Sequence, residues 1–154
     1  MSIEPTKYSS VGVQKIDTSY LETLIGYNAR RAALAIIEVF LERMSVYDLR
    51  IVDFSVLSLI AHNPGISSRQ LCSSLNILPP NLVGMINALQ KRELIVRRPH
   101  PVDGRVMGLH LTGSGVKLMR AAEQTAFELE KDATPQLTGA ERKTLMKLLQ
   151  KIYN

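Results

Sequence analysis

Between two apolar runs the chain carries Arg97-Arg98-Pro99-His100-Pro101-Val102-Asp103-Gly104-Arg105: three arginines, a histidine and an aspartate on a stretch punctuated by proline and glycine. Guanidinium groups make paired hydrogen bonds to phosphate, so the chemistry on offer is the gripping of a polyanion. Ile95-Val96 on one side and Val106 to Leu111 on the other read as short strands, with Pro101 and Gly104 marking the turn. The spacing predicts a basic β-hairpin. Catalytic chemistry is not visible, because no nucleophile stands beside a base and there is neither a glycine-rich phosphate loop nor a carboxylate pair. His62, His100 and His110 lack ligand-like spacing with a cysteine or carboxylate partner, so no metal and no cofactor is expected, and the chain does not read as an enzyme.

Something must present that hairpin. Directly upstream, from Ser67 to Lys91, two short helical patterns lie back to back with Asn76 to Pro80 between them. Ser67 with Gln70 three residues later reads as a capping box, and Ile66 is placed to staple onto Leu71. Pro79 and Pro80 fit only the first turn of a helix, where a missing N–H costs nothing. The helix they open has Leu82, Met85, Ile86 and Leu89 on one face and Asn81, Gly84, Ala88 and Lys91 on the other, with Asn87 at the boundary. Helix, turn, helix and charged hairpin in that order make a winged helix.

Further helices flank this centre. Ser19 and Glu22 fit a capping box that opens a long first helix running to about Met44, with apolar residues on more than one face. A second spans about Ile51 to Asn63 and stops at Asn63-Pro64-Gly65; a fifth opens at Leu111-Thr112 and runs to about Asp132. Thr138 and Glu141 cap a last helix that carries Leu145, Leu148, Leu149 and Ile152. The fold expected is mainly α: a winged helix-turn-helix with N- and C-terminal helices and a small β-hairpin wing.

A chain of 154 residues has room for one domain, with or without dimerisation arms. Its formal charge is +5, yet the window from Gly65 to Arg120 holds eight Lys or Arg against only Glu93 and Asp103. The basicity is concentrated where the helix pair and hairpin lie, which suits nucleic acid as the polyanion. No helix combines a lysine-rich face with a bulky apolar one, and the longest apolar run, Ala32 to Ile37, is too short to span a bilayer, so no membrane partner is expected. With no secretory signal visible in residues 1–15 and a single cysteine, Cys72, the reading is a soluble, cytoplasmic protein.

At this point the residues resemble the MarR family of bacterial transcriptional regulators, from Tyr20 to Ile152. The matching pieces are Asn63-Pro64-Gly65-Ile66-Ser67 at a helix entry, Leu89-Gln90-Lys91-Arg92-Glu93-Leu94-Ile95 leaving the fourth helix, the hairpin itself, and Leu111-Thr112 with Gly115. The Asp103-Gly104-Arg105 tip is the most specific of them. The resemblance implies that Asp103 orients Arg105 for entry into the DNA minor groove, a placement suited to arginine on physical grounds alone. It implies double-stranded DNA as partner, a homodimer interlocked through both chain ends, and a repressor on a pseudo-palindromic operator. Residues 1–16 are then a flexible arm and 17–154 a single domain, in which 17–47 and 112–154 supply dimerisation helices and 48–111 the DNA-binding lobe. Candidate DNA-contacting residues are Ser67, Ser68 and Arg69 at the entry to the third helix, and Pro80, Asn81, Gly84, Asn87, Lys91 and Arg92 on the fourth. Arg97, Arg98, His100, Asp103 and Arg105 complete the set on the wing.

By the same resemblance a small effector, commonly aromatic and anionic, lodges between the dimerisation helices and the winged helix. Tyr27, Arg31, Tyr47 and Phe54 are the candidates for holding it, although aromatic residues at helical spacing also suit a core and Arg31 also suits an ion pair on a solvated face. Departures from the family pattern fall at the reading surface: Leu78, Pro79 and Gly84 stand where relatives carry charge, leaving Asn81 and Asn87 as donors to base edges. Glu93 stands where a glycine is common. Two alternatives accompany the regulator reading. One is a winged helix used only as a protein-interaction or dimerisation module, against which three wing arginines argue. The other is redox sensing through Cys72, which sits on the packed face of the third helix without cationic neighbours and so reads as structural.

Overall fold

The computed structural model describes residues 15–154. The flexible arm expected over residues 1–16 therefore lies outside the described residues, apart from Lys15 and Ile16, which are exposed and irregular. The described residues fall into two compact units, 15–33 and 34–154. In the first, the capping box expected between Ser19 and Glu22 does not form. Ser19 donates its amide to Asp17 Oδ1 (2.9 Å) and Glu22 accepts from the Thr18 hydroxyl (2.5 Å), local bonds that compete with the helix. The chain instead makes a 3-10 turn over Leu21–Thr23, extends at Leu24, and only then enters α1 (Ile25–Met44). Asn28 bridges the break by donating its side-chain amide to the carbonyls of Glu22 and Leu24 at 2.8 and 2.9 Å.

The second unit takes up the end of α1, a 3-10 turn (Ser45–Tyr47), α2 (Ile51–His62), α3 (Ser68–Leu75), α4 (Pro79–Lys91), β1 (Ile95–Pro99), β2 (Met107–Leu111), α5 (Gly113–Ala133) and α6 (Gly139–Tyr153). Its core gathers Val56, Leu57 and Ile60 of α2, Leu71 of α3, Leu82, Ile86 and Leu89 of α4, Ile95 and Leu109 of the hairpin, and Met119, Ala122 and Leu129 of α5. Caps fix the ends. Ser67 and Gln70 form the expected box, with the Gln70 amide on Ser67 Oγ (3.2 Å) and the Ser67 amide on Gln70 Oε1 (2.9 Å). Thr138 and Glu141 form theirs, and Thr112 accepts the Gly115 amide at 3.0 Å to start α5. The turn from α3 to α4 passes through Asn76 in the left-handed region (φ 51°), followed by extended Leu78 and by Pro79 at the first helical position.

At the end of α4 the Glu93 amide reaches the Gln90 carbonyl and the Leu94 amide the Leu89 carbonyl, the paired bonds of a Schellman end. That ending needs a left-handed residue, and Glu93 supplies it at φ 58° without being glycine. The departure from the family's common glycine leaves the shape of the helix end intact. Gly115 answers a different demand, since a Cβ there would lie 2.1 Å from the Leu94 carbonyl oxygen. Its bare backbone lets the start of α5 sit directly on the strand that leaves α4.

The two strands are antiparallel, with Ile95 opposite Leu111 and Pro99 opposite Met107. They are placed differently from the expected 95–96 and 106–111: β1 runs through Arg97, Arg98 and Pro99, while Val106 lies in the loop. Pro99 can close the strand because it stands at its last position, where a missing N–H disrupts least, and the His100 amide on the Val106 carbonyl (2.7 Å) then closes the tip. A further pairing was not foreseen. Gly65 and Ile66 bond to Leu109 of β2 at 2.8 and 2.9 Å, so a single isolated bridge from the α2–α3 connection braces the hairpin. Among the described residues no helix is long and apolar enough to cross a membrane.

Candidate nucleic-acid interface

α4 owes its outward face to its sequence period. With Leu82, Ile86 and Leu89 buried, the intervening Pro80, Asn81, Gly84, Asn87 and Lys91 are all exposed, as the spacing requires. Val83 on α4 is 53% exposed and Leu78, which caps the helix start, is 69% exposed, while Leu82, Ile86 and Leu89 face the core. Sequence reasoning did not include either as a contact, although two apolar residues off the core face were a legible signal. Such groups suit the methyl of thymine. At the start of α3, Ser68 and Arg69 are exposed, whereas the Ser67 hydroxyl is taken up by its capping partner Gln70.

Not every candidate projects a free side chain. Arg92 turns back, donating from Nη1 to the Asp48 carbonyl (2.7 Å) and from Nη2 to the Tyr47 carbonyl (3.0 Å). It ties the end of α4 to the turn before α2. Arg97 Nη2 donates to Asn87 Oδ1 at 3.0 Å, linking the first wing strand to the exposed face of α4. The Asn87 amide oxygen, expected as a base-edge acceptor, is thus engaged within the protein. Arg98 and Arg105 have no ion-pair or hydrogen-bond partner for their guanidinium groups among the described residues, which leaves both charges available to a polyanion.

The wing tip is held by its own residues. His100 Nδ1 accepts from the amides of Val102 (3.2 Å) and Asp103 (3.4 Å), so a neutral ring carries its proton on Nε2 and can donate there. Asp103 Oδ1 accepts the backbone amide of Arg105 at 3.1 Å, and the Asp103 carbonyl accepts the Val106 amide at 3.0 Å. The aspartate therefore positions Arg105 through its main chain, rather than through an ion pair with its guanidinium. This is an Asx-type turn, which suits the short acceptor side chain of aspartate.

The four effector candidates divide. Tyr47 is half-buried and its hydroxyl lies 2.9 Å from Thr125 Oγ1 on α5, while Phe54 packs edge-on against Phe40 with ring centroids 5.5 Å apart. Phe54 is thereby part of the packed interior. Tyr27, half-buried, and Arg31, exposed, lie on the N-terminal part of α1 in the first unit. Cys72 is half-buried on α3 and packs against the core. Among the described residues no cluster of histidine, cysteine and carboxylate side chains has the makings of a metal site.

Comparison with known proteins bears on the same residues. A sequence model of the MarR family matches residues 49–107, from the turn before α2 through the wing. A protein of Thauera aromatica assigned to transcriptional regulation of the hcr operon is 31% identical over 130 residues, covering 84% of this chain and 78% of its own. The solved structure of the transcriptional repressor CouR bound to a 23-mer DNA duplex is 34% identical and superposes with a TM-score of 0.85 over 92% of this chain and 100% of that one. A second structure of CouR, bound to p-coumaroyl-CoA, is 33% identical with a TM-score of 0.79, over 90% and 97% of the two chains. Fold, wing and relatives agree, and the chain belongs to the MarR family of transcriptional regulators.

Proposed function

We propose that this regulator is a homodimeric repressor that binds a pseudo-palindromic operator and leaves it when a small anionic ligand binds. The observation that carries the DNA-binding part is the braced wing, which offers the unpaired guanidinium groups of Arg98 and Arg105 beside the exposed face of α4. In this reading residues 48–111 form the DNA-binding lobe, and 17–47 with 112–154 dimerise. Support for the dimer comes from α6, where no residue is buried although Leu148, Leu149, Ile152 and Tyr153 are apolar. An isolated helix of 15 residues is marginal in water, so its apolar side calls for a partner. Two recognition helices would then meet successive major grooves about 10 base pairs apart.

Direct readout falls to Asn81 and to the apolar Val83 and Leu78, with Ser68, Arg69, Lys91, Arg97, Arg98, His100 and Arg105 on the backbone and minor groove. CouR's p-coumaroyl-CoA points to an aromatic acyl-CoA thioester as the effector class here, aromatic at one end and anionic at the other. Within the second unit Tyr47 is the proposed holder, with Phe54 supporting it from the interior. A footprint on DNA flanking the protein's own gene tests the reading: two protected half-sites that vanish on adding an aromatic acyl-CoA are expected. No protection anywhere in that DNA would refute the operator claim, and protection indifferent to such thioesters would refute the effector claim.

A further inference from the structure

Three glycines are demanded by the fold. Gly65 holds a left-handed φ of 88°, and a Cβ at Gly108 or Gly115 would lie 2.8 Å from the Gly65 carbonyl oxygen or 2.1 Å from that of Leu94. Gly84 answers no such demand. It lies in the middle of α4 without a positive φ, and a Cβ there would meet no side chain and no other element within 4 Å. Among the described residues it is also the one glycine in a helix interior, since Gly26, Gly113, Gly115 and Gly139 stand in first turns. Glycine loses the most backbone freedom on folding and is the poorest helix former after proline. It weakens α4, and nothing inside the protein requires it.

The position faces away from the core. Leu82, Ile86 and Leu89 turn the other side of α4 inward, and Gly84 is exposed between Pro80 and Asn81 one turn before it and Asn87 and Ala88 one turn after. With no side chain over it, the surface there is a notch floored by backbone. None of the four neighbours is charged, so the notch is not built for phosphate. A missing Cβ leaves room for about one methyl group, and in the major groove thymine is the base that presents one, on C5 beside its O4 acceptor.

We propose that Gly84 is a specificity-determining residue: α4 seats the 5-methyl group of a thymine against its bare backbone, one T·A pair in each half-site. The proposal rests on the reading of α4 as the recognition helix and adds a base that it selects. Val83 and Leu78 offer contact by their bulk. Gly84 acts by leaving bulk out, so that the helix lies closer to the base edges.

The test starts from the operator that wild type selects out of a random DNA pool. Each thymine of a half-site is replaced in turn by deoxyuridine, which removes the methyl and keeps every hydrogen-bonding group, and wild type and Gly84→Ala are compared on these duplexes by fluorescence anisotropy. At one position wild type should lose about fourfold per half-site, the effect of one buried methyl, and Gly84→Ala should bind deoxyuridine there at least as well as thymine. On the unmodified operator Gly84→Ala should bind about tenfold more weakly, because its Cβ meets the methyl. Its unfolding midpoint should meanwhile rise by roughly 2–4 °C, as alanine favours the helix, so the loss is not one of folding. Equal operator affinity for wild type and Gly84→Ala overturns the proposal, as does a loss that deoxyuridine relieves at no position. A lowered midpoint would show that the fold itself needs the glycine, and overturns it too. A wild type that selects no sequence defeats the operator reading and this proposal with it, whereas the other failures leave that reading standing.

Discussion

Arg97 and Asn87 share one hydrogen bond of 3.0 Å, and that bond alters what each is expected to do. An asparagine free on a recognition helix discriminates adenine, but one whose oxygen is held by a wing arginine serves to place that arginine. Asn87→Ala and Arg97→Ala should therefore each weaken binding to all sequences alike, and the two losses should be non-additive when combined. Selection from a random DNA pool checks this: an unchanged consensus is expected for Asn87→Ala, whereas loss of preference at one position per half-site would mean that Asn87 reads a base after all. The exposure of the candidate residues was legible in the sequence because charge and helical period are local properties. Their partners were not. Arg92 turning back to the Tyr47 and Asp48 carbonyls, and His100 accepting amides within the tip, depend on where distant or tightly curved backbone ends up.

Elements whose ends are set by neighbours three residues apart were readable for the same reason. The boxes at Ser67 and Thr138 formed as their spacing required; the one at Ser19 lost to Asp17 and Thr18, which offered closer partners. The bracing of β2 by Gly65 and Ile66 joins segments more than forty residues apart, and no local pattern announces it. Close packing at Gly115 is likewise non-local, and it yields a sharp expectation. Gly115→Ala forces a Cβ against the Leu94 carbonyl, so the start of α5 must shift, costing roughly 1–3 kcal/mol in denaturant unfolding. A variant as stable as wild type would contradict that contact. At the start of α6 the Thr138 amide and hydroxyl hold the Glu141 carboxyl below the ordinary glutamate range. A depressed folded value stabilises above the unfolded pKa and is lost as pH falls through the folded one. Stability measured from about pH 5 downward should thus fall less in Glu141→Gln than in wild type; parallel curves would show that the cap contributes nothing.

Among the described residues, α6 carries apolar surface that nothing covers and the wing carries guanidinium charge that nothing neutralises. On α6 that surface predicts dependence on a partner: removing Thr138 to Asn154 should yield aggregated or unfolded protein, whereas a folded, DNA-binding monomer seen by light scattering would refute the dimer. The charge lies on the wing, and the claim that the wing carries DNA binding is the centre of the account. The direct measurement is fluorescence anisotropy of wild type, Asp103→Ala and Arg105→Ala on DNA flanking the protein's own gene, at several salt concentrations. Asp103 acts through the Arg105 amide at 3.1 Å, so its loss should cost about 1 kcal/mol, and Arg105→Ala about 1–3 kcal/mol, with wild-type affinity falling steeply as salt rises. Wild-type affinity in Arg105→Ala, or binding indifferent to salt, would contradict it.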